Sequence, residues 1–552
     1  MWSTTLPASL VLLGAPLVLG ADVQLQGLTV PSQYASQGDA VKQIFTDSYN
    51  SYKKFAFGHD EVEPISETFT DPRNGWGASI VDGMTTMFIM GLDDFFDEAL
   101  NFSQRIDFNV SNVDETVSVF ESTIRYVASL ISTYELSGKQ HPELIERAKD
   151  LGNKLSVAWS AQNTIIPYGE LNFTTDTAEI DTSNIAEAGT LSMEFDRLSL
   201  YTGNDTYRKL AVGSVKEIIS LPAPLPGFPA QGIDPGTNKP VGAYVTWGGG
   251  SDSYLEYLIK YARLTNTEDN SFTNAWLTAV DSSIHTLLRT STVGDHVYLA
   301  DQDDDGLIRH IGSHLACFMA GNWIMGGRLT NNQTIVDIGL KLNDACWNTY
   351  AGDATGIGPE AFAWISDETN GSFTGGSAPD SAQLAFYNQN GYYVTTSDYV
   401  QRPEVLESNF YAWRATGDTK YLDRAAAAVD SFQKFLKVDT GYIGLNDVND
   451  VSGDPGNLVD DTASFWFAEV LKYLFLTFDD PSHISLNDFV FNTEAHPFAA
   501  PPAQSTYGNA TLLSQTAWQI QQTGPLPAIS TLAFPLPTSV TIGVAATAAV
   551  SV

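Results

Sequence analysis

Positive charge is scarce in this chain: 28 Lys and Arg stand against 65 Asp and Glu, a formal net charge of −37. That balance excludes a nucleic-acid partner, which needs a basic footprint, and equally an anionic membrane surface. Cysteine is nearly absent. Cys317 and Cys346 have no His-rich tract or second Cys cluster beside them, which argues against a metal–thiolate site. In an exported chain, two cysteines this far apart read instead as one disulfide, worth about 3 kcal/mol by loop entropy. Strand-like alternation is rare, and no Pro/Gly/Ser linker divides residues 34–497. No Lys-Ser/Thr follows the glycines Gly248, Gly249 and Gly250, so a phosphate loop is excluded.

What is present begins with an export signal. Leu6 to Leu19 is apolar and ends in Gly20-Ala21 before Asp22, so residues 1–21 read as a secretory signal peptide, although no Lys or Arg precedes the run. Seven Asn-x-Ser/Thr sequons, at Asn101, Asn109, Asn172, Asn204, Asn332, Asn370 and Asn509, fit the secretory pathway. The expected destination is the extracellular space or the ER–Golgi lumen. After Pro497 the composition shifts to Ala, Pro, Ser and Thr, so residues 498–552 read as a disordered tail. A removable GPI signal is the alternative there, weakened by Pro535 and Pro537. No stable membrane span is expected.

Helical periodicity runs through 117–134, 186–200, 254–264, 405–415 and 464–478. Turn signals recur between such stretches: Leu136-Ser137-Gly138, Tyr201-Thr202-Gly203-Asn204, Leu264-Thr265-Asn266, Leu329-Thr330-Asn331-Asn332 and Ala415-Thr416-Gly417-Asp418. The first four come about 65 residues apart, which suits two helices and one long loop each. Six or seven helical hairpins closed into a ring would bury every apolar face and gather the long loops at one end. A single domain over 34–497 is expected.

Carboxylates recur at the openings of these helices. Gln401-Arg402-Pro403-Glu404-Val405-Leu406-Glu407 sets two acids three residues apart on a first turn, where the helix dipole favours them. Glu121 lies four residues before Arg125 amid Val119, Phe120 and Ile124, either a surface ion pair or a partly buried functional one. Asp252 and Glu256 follow the glycine loop, with Asp252 readable as a simple N-cap. Glu469 sits in the aromatic stretch Phe465-Trp466-Phe467, where a lone carboxylate is costly to bury unless Lys472 or a ligand pairs with it. Glu360 repeats the pattern. Aromatic rings beside acids suit a sugar, whose C–H faces stack on them. His314 beside Cys317 is readable as structural. Asp301 to Gly306 imitates an EF-hand start, but Gly312 stands where the bidentate Glu belongs, so it reads as a solvated acidic loop. Thr493, in Asn492-Thr493-Glu494-Ala495-His496, offers a hydroxyl and a carbonyl to a hard cation.

Taken together, the blocks 74–82, 120–125, 186–195, 252–257, 314–318, 355–360, 402–408, 465–473 and 491–497 resemble the class I α-1,2-mannosidases of glycoside hydrolase family 47, in order and spacing. The secretory signal and short loops are more similar to the secreted fungal branch than to the membrane-anchored Golgi branch. The resemblance implies an all-α (α/α)7 barrel and inverting, Ca²⁺-dependent removal of terminal α-1,2-mannose from high-mannose N-glycans such as Man9GlcNAc2. It implies Ca²⁺ on Thr493, Glu121 as general acid through a water, and Asp252 or Glu404 as the base. Arg125, Glu256, His314, Glu360, Arg402, Glu407, Phe465, Glu469 and Glu494 would bind substrate, with Phe465 stacked on the mannose and Arg125 paired with the acid. It also places a disulfide at Cys317 and Cys346. Inversion needs two carboxyls roughly 6.5–9.5 Å apart, so that a water fits between base and sugar.

Two departures stand out. Where many members read Asp-Ala-Leu-Asp-Thr-Leu, this chain has Asp82-Gly83-Met84-Thr85-Thr86-Met87, and Asp252 is followed by Ser253-Tyr254 in place of a double aromatic. The expected protein is a monomeric hydrolase acting on the high-mannose N-glycans of glycoproteins. The alternative is a lectin-like glycan-binding factor of lumenal quality control with little or no hydrolysis; retention of all the acids argues against it.

Overall fold

The computed structural model describes residues 21–160, 164–366 and 378–509. Its framework is a closed double ring of helices. The inner ring runs through Ala78–Met90, Ala128–Leu136, Ser192–Thr202, Asp252–Thr265, Phe318–Leu329, Glu404–Thr416 and Leu471–Phe478, each touching the next and the last touching the first. Ala35–Phe55, Asp93–Ser103, Pro142–Leu155, Thr206–Ser220, Ser271–Thr286, Gln333–Gly352 and Lys420–Phe435 pack outside it. This is the (α/α)7 barrel.

Composition explains which helix goes where. Glu404–Thr416 and Leu471–Phe478 are buried almost all round, whereas Pro142–Leu155 buries a single stripe of Leu144, Ile145, Ala148, Leu151 and Leu155. The recurring turn signals close inner helices. Gly203, Asn266 and Gly417 are left-handed C-caps, a conformation glycine adopts freely and asparagine tolerates. Strands are limited to two- to four-residue pieces in the long loops. Two inner helices are locally wound as π turns, at Ser122–Val127 and Trp466–Val470, a distortion that often accompanies functional sites.

A β-hairpin, Phe489–Phe491 with Pro497–Ala499, enters the barrel from the C-terminal ends of the inner helices. Its stem is held where Ser132 donates to the Pro497 carbonyl and Arg197 to that of Ala499. Its tip, Asn492 to His496, is buried on the axis except for half-buried Thr493, and bonds to Ile124, Glu194 and Lys472 of three different inner helices.

The packed body is longer than the expected 34–497. Ala21 is buried and donates to Gln504, and Phe498 and Tyr507 are buried as well. The reason lies at the ends of two inner helices, where Arg263 and Arg414 are buried with no carboxylate in ion-pair contact among the described residues. The flanks help to meet their Nη donors: Pro501 adds its carbonyl to that of Asn487 for Arg263, and the Gln24 side-chain oxygen joins the Pro481 carbonyl for Arg414. Residues 1–20 and 510–552, and with them most of the expected signal and tail, lie outside the described residues, as does Asn370. Cys317 and Cys346 form a disulfide. Asn101, Asn109, Asn204 and Asn509 are exposed, while Asn172 and Asn332 are half-buried and accept backbone hydrogen bonds. No helix among the described residues is long and apolar enough to cross a membrane.

Candidate active site

The N-terminal turns of the inner helices surround a cleft of about 600 Å³ whose floor is the hairpin tip. Glu121, Arg125, Asp252, Glu256, Arg402, Glu404, Glu407, Phe465, Glu469, Thr493 and Glu494 all line it, although they are spread over more than 370 positions of sequence. His314 and Glu360 stand one step behind. His314 Nδ1 lies 2.7 Å from Glu404 Oε2, its Nε2 2.8 Å from the Tyr350 hydroxyl, and Arg402 Nε donates to Glu360 at 2.5 Å.

The pair Glu121–Arg125 belongs to the cleft wall, with Arg125 buried. Its Nε donates to Glu121 at 2.7 Å, and Nη1 reaches Glu494, Ser464 and Asp82. Its guanidinium also lies 5.7 Å from the centre of the Phe465 ring, fixing that ring at the cleft edge. Burial pushes the Glu121 carboxyl up, but Arg125 and Arg73 outweigh it and leave it below the usual carboxylate range.

Asp252 is not an N-cap; Ser251 occupies that place and Asp252 opens the helix. Among the described residues its carboxylate accepts only the N–H and hydroxyl of Ser253. Burial, reinforced by the charges of Glu256 and Glu404, pushes it up to about 7. Glu404 is the opposite case: burial is overcome by the His314 hydrogen bond and the Arg402 charge, so it is held low and ionised.

Deeper in the cleft, negative charge outnumbers positive. Burial raises Glu407 to about 8 and carries Glu469 and Glu494 well above their ordinary range. Lys260 pairs with Glu256 and approaches Glu407 at 3.9 Å. Lys472 turns away from Glu469 and donates to the Ala495 carbonyl, so Glu469 has no hydrogen-bond partner among the described residues. Removing the one lysine that serves two buried acids leaves them uncompensated: Lys260→Met is expected to lower unfolding free energy by about 3–5 kcal/mol, read by chemical denaturation.

Thr493 lies among these acids, anchored by its N–H to the Tyr257 hydroxyl at 3.3 Å. Its hydroxyl and carbonyl oxygens have no hydrogen-bond partner among the described residues. Two hard oxygen donors beside uncompensated carboxylates fit a divalent cation such as Ca²⁺. Among the described residues no three His, Cys, Asp or Glu side chains come close enough to ligate a metal directly, so such an ion would keep water between itself and the acids.

Thr85, where an Asp is common in the resembled family, is buried with its hydroxyl 3.1 Å from His496 Nδ1. Burial lowers His496 to about 4, so that imidazole is neutral. Asp82, reached by Arg125 and accepting the Ser464 hydroxyl at 2.5 Å, keeps the remaining acid of that block in the network. Sequence reading overlooked Arg73, Asp82, Glu170, Glu187 and Lys260 as members or supports of the site. Lys260 had a signal, since it lies one turn after Glu256 and two after Asp252 on one helix face. Arg73 had none, because its place depends on a loop fold.

Residues 44–500 match the family described as Glycosyl hydrolase family 47. The chain is similar to Mannosyl-oligosaccharide alpha-1,2-mannosidase 1B of Emericella nidulans, at 37% identity over 84% of this chain and 93% of that one. It is also similar to Mannosyl-oligosaccharide alpha-1,2-mannosidase of Coccidioides posadasii, at 37% identity over 84% and 90%. Among solved structures, alpha-1,2-mannosidase from Trichoderma reesei superposes with a TM-score of 0.80 at 36% identity, covering 84% of this chain and 99% of that one. With the family matched over most of its length and relatives this similar, the chain belongs to glycosyl hydrolase family 47.

Proposed function

We propose that this chain is a Ca²⁺-dependent, inverting exo-α-1,2-mannosidase that trims terminal α-1,2-linked mannose from high-mannose N-glycans within or beyond the secretory pathway. The observation that carries the reading is the convergence of Glu121, Asp252, Glu404, Phe465 and Thr493 on one cleft. The activity printed for its relatives supports the linkage and substrate class.

In this reading the terminal mannose rests its C–H face on Phe465 and turns its hydroxyls to the acidic floor. Ca²⁺ held on the oxygens of Thr493 would anchor those hydroxyls and favour a distorted ring. Glu404 is the base: already ionised, and oriented by His314, it takes a proton from the water attacking the anomeric carbon. Asp252, pushed up to about 7, is the weaker candidate and helps to place that water. Glu121 supplies the leaving oxygen's proton through an intervening water. Because two guanidinium groups hold Glu121 ionised in the free cleft, it is expected to take up its proton as the sugar expels water around it.

Mass spectrometry of a Man9GlcNAc2 digest over time tests this. Stepwise loss of hexose is expected by mass, with β-mannose as first product by proton NMR of the fresh digest; glycan retained without any released sugar would support the lectin-like alternative and end the hydrolase reading.

A further inference from the structure

Glu121 has two carboxylate oxygens, and Arg125 occupies one of them. The other, Oε1, faces Nη2 of Arg73 at 3.4 Å. Arg73 comes from the loop that precedes Ala78–Met90, the inner helix that neighbours the one carrying Glu121, and it lines the cleft beside the acid.

That loop is unusually well held. The carboxylate of buried Asp60 accepts the backbone N–H groups of Arg73, Gly75, Gly77 and Ala78 at 2.7–3.0 Å. Four donors on one carboxylate force the chain to wrap around it, and residues 74, 75 and 77 all adopt positive φ to do so. At Gly77 a Cβ would lie 2.7 Å from the Phe102 ring, so only glycine fits the wrap. Tyr126 ties the loop to the helix that carries the acid: its hydroxyl donates to the Arg73 carbonyl at 2.8 Å and lies 3.2 Å from Asp60. Arg73 is thus fixed at both its N–H and its carbonyl, and its side chain ends on the acid.

We propose that Arg73 is a positioning residue for Glu121, gripping the oxygen that Arg125 leaves free, and that Asp60 sets it there through the loop. The proposal rests on Glu121 being the acid of the reaction. Held between two guanidinium groups from different elements, one on each oxygen, the carboxylate is restrained from rotating, so the water that relays its proton meets one preferred geometry. Arg73 also sets the charge around the acid. The other charged groups facing Glu121 are Arg125 on its own helix, Asp82 on the neighbouring inner helix, Glu494 on the hairpin and Glu170 on the adjoining strand. Three of those four are acids, so Arg73 is one of two cations opposing them.

The sign follows. The charge of Arg73 holds Glu121 down, so its removal lets the acid keep its proton to higher pH. A general acid must be protonated to act, and the alkaline limb of kcat/KM reports its titration in the free enzyme. The experiment compares Arg73→Met, which keeps the stem, with Arg73→Lys and Asp60→Asn across pH, on the full chain with Ca²⁺ present. Arg73→Met is expected to move the alkaline limb to higher pH and to lower kcat/KM by roughly tenfold to a hundredfold through misplacement, mostly in kcat. Arg73→Lys should restore the limb while recovering only part of the rate. Asp60→Asn should move the limb in the same direction, with no additional movement when combined with Arg73→Met.

An Arg73→Met enzyme whose limb stays put overturns the proposal, whether its rate is unchanged or merely reduced. If Arg73→Met fails to fold, by near-UV circular dichroism, Arg73→Lys against Arg73→Gln carries the same comparison. A wild-type protein that releases no mannose defeats the parent reading instead, so the two failures are distinguishable.

Discussion

Glu404→Gln is expected to lower kcat by about 10³-fold, within the 10²–10⁴ range of general acid–base groups, with KM changed only a few-fold. The amide keeps the shape of the side chain and can still meet His314, but it cannot accept a proton from water. Glu121→Gln should fall by a similar factor, because the amide retains a contact with Arg125 yet has no proton of suitable acidity to relay. The pair behaves differently with pH. Glu404 is needed ionised, so activity should be lost as pH falls through its lowered value. Glu121 is needed protonated, so activity should be lost as pH rises, and together they predict an optimum on the acid side of neutrality. Steady-state rates on a Man9 glycan, carried from about pH 3, below the ordinary carboxylate range, up to neutrality, check both. Retention of wild-type kcat by Glu404→Gln would remove it from the chemistry and leave Asp252 as the base.

Chelation should have the second-largest effect. Stripping the protein with EDTA is expected to abolish mannose release and to lower the thermal midpoint, with both restored by Ca²⁺. At a hundredfold excess over its Kd, a ligand confined to the folded state contributes about 2.7 kcal/mol. The thermal readout is independent of turnover and therefore reports on the floor of the cleft directly. Thr493→Ala, which deletes one of the two donor oxygens, should narrow the gap between the Ca²⁺ and EDTA midpoints while leaving the stripped protein near wild-type stability. That second expectation follows from the position of Thr493: its N–H bond to Tyr257 survives, and its hydroxyl has no partner among the described residues to lose. Identical melting curves with and without the ion, in a protein that still releases mannose, would refute the metal's role. The physical case for the ion is the imbalance on the floor, where Glu407, Glu469 and Glu494 are all pushed upward and Lys472 is turned toward a carbonyl instead of an acid.

The periodic stretches and their turns were legible along the chain because they are local. Asp252–Thr265 and Glu404–Thr416 appear where the apolar pattern predicts them, and Gly203, Asn266 and Gly417 end helices through their own backbone preference. Other elements were beyond such reading. The π turns at Ser122–Val127 and Trp466–Val470 carry no compositional mark. Neither does the wrap of residues 73–78 about Asp60, which depends on a carboxylate more than ten positions away. The body extends beyond 34–497 because two buried arginines at the barrel's base draw in the Gln24 side-chain oxygen from one flank and the Pro501 carbonyl from the other, a demand visible only once those arginines are seen to be buried.

Charge, helical period and the spacing of acidic blocks were settled by the order of residues alone, since each depends on neighbours a few positions away or on composition. Only the closed ring decided which acids share a cleft and which partners sit on each. It also decided that Glu404 lies low beside His314 while Asp252 rises to about 7. Ionisation depends on burial and on charges within a few ångströms, and those distances exist only after distant parts of the chain have been brought together.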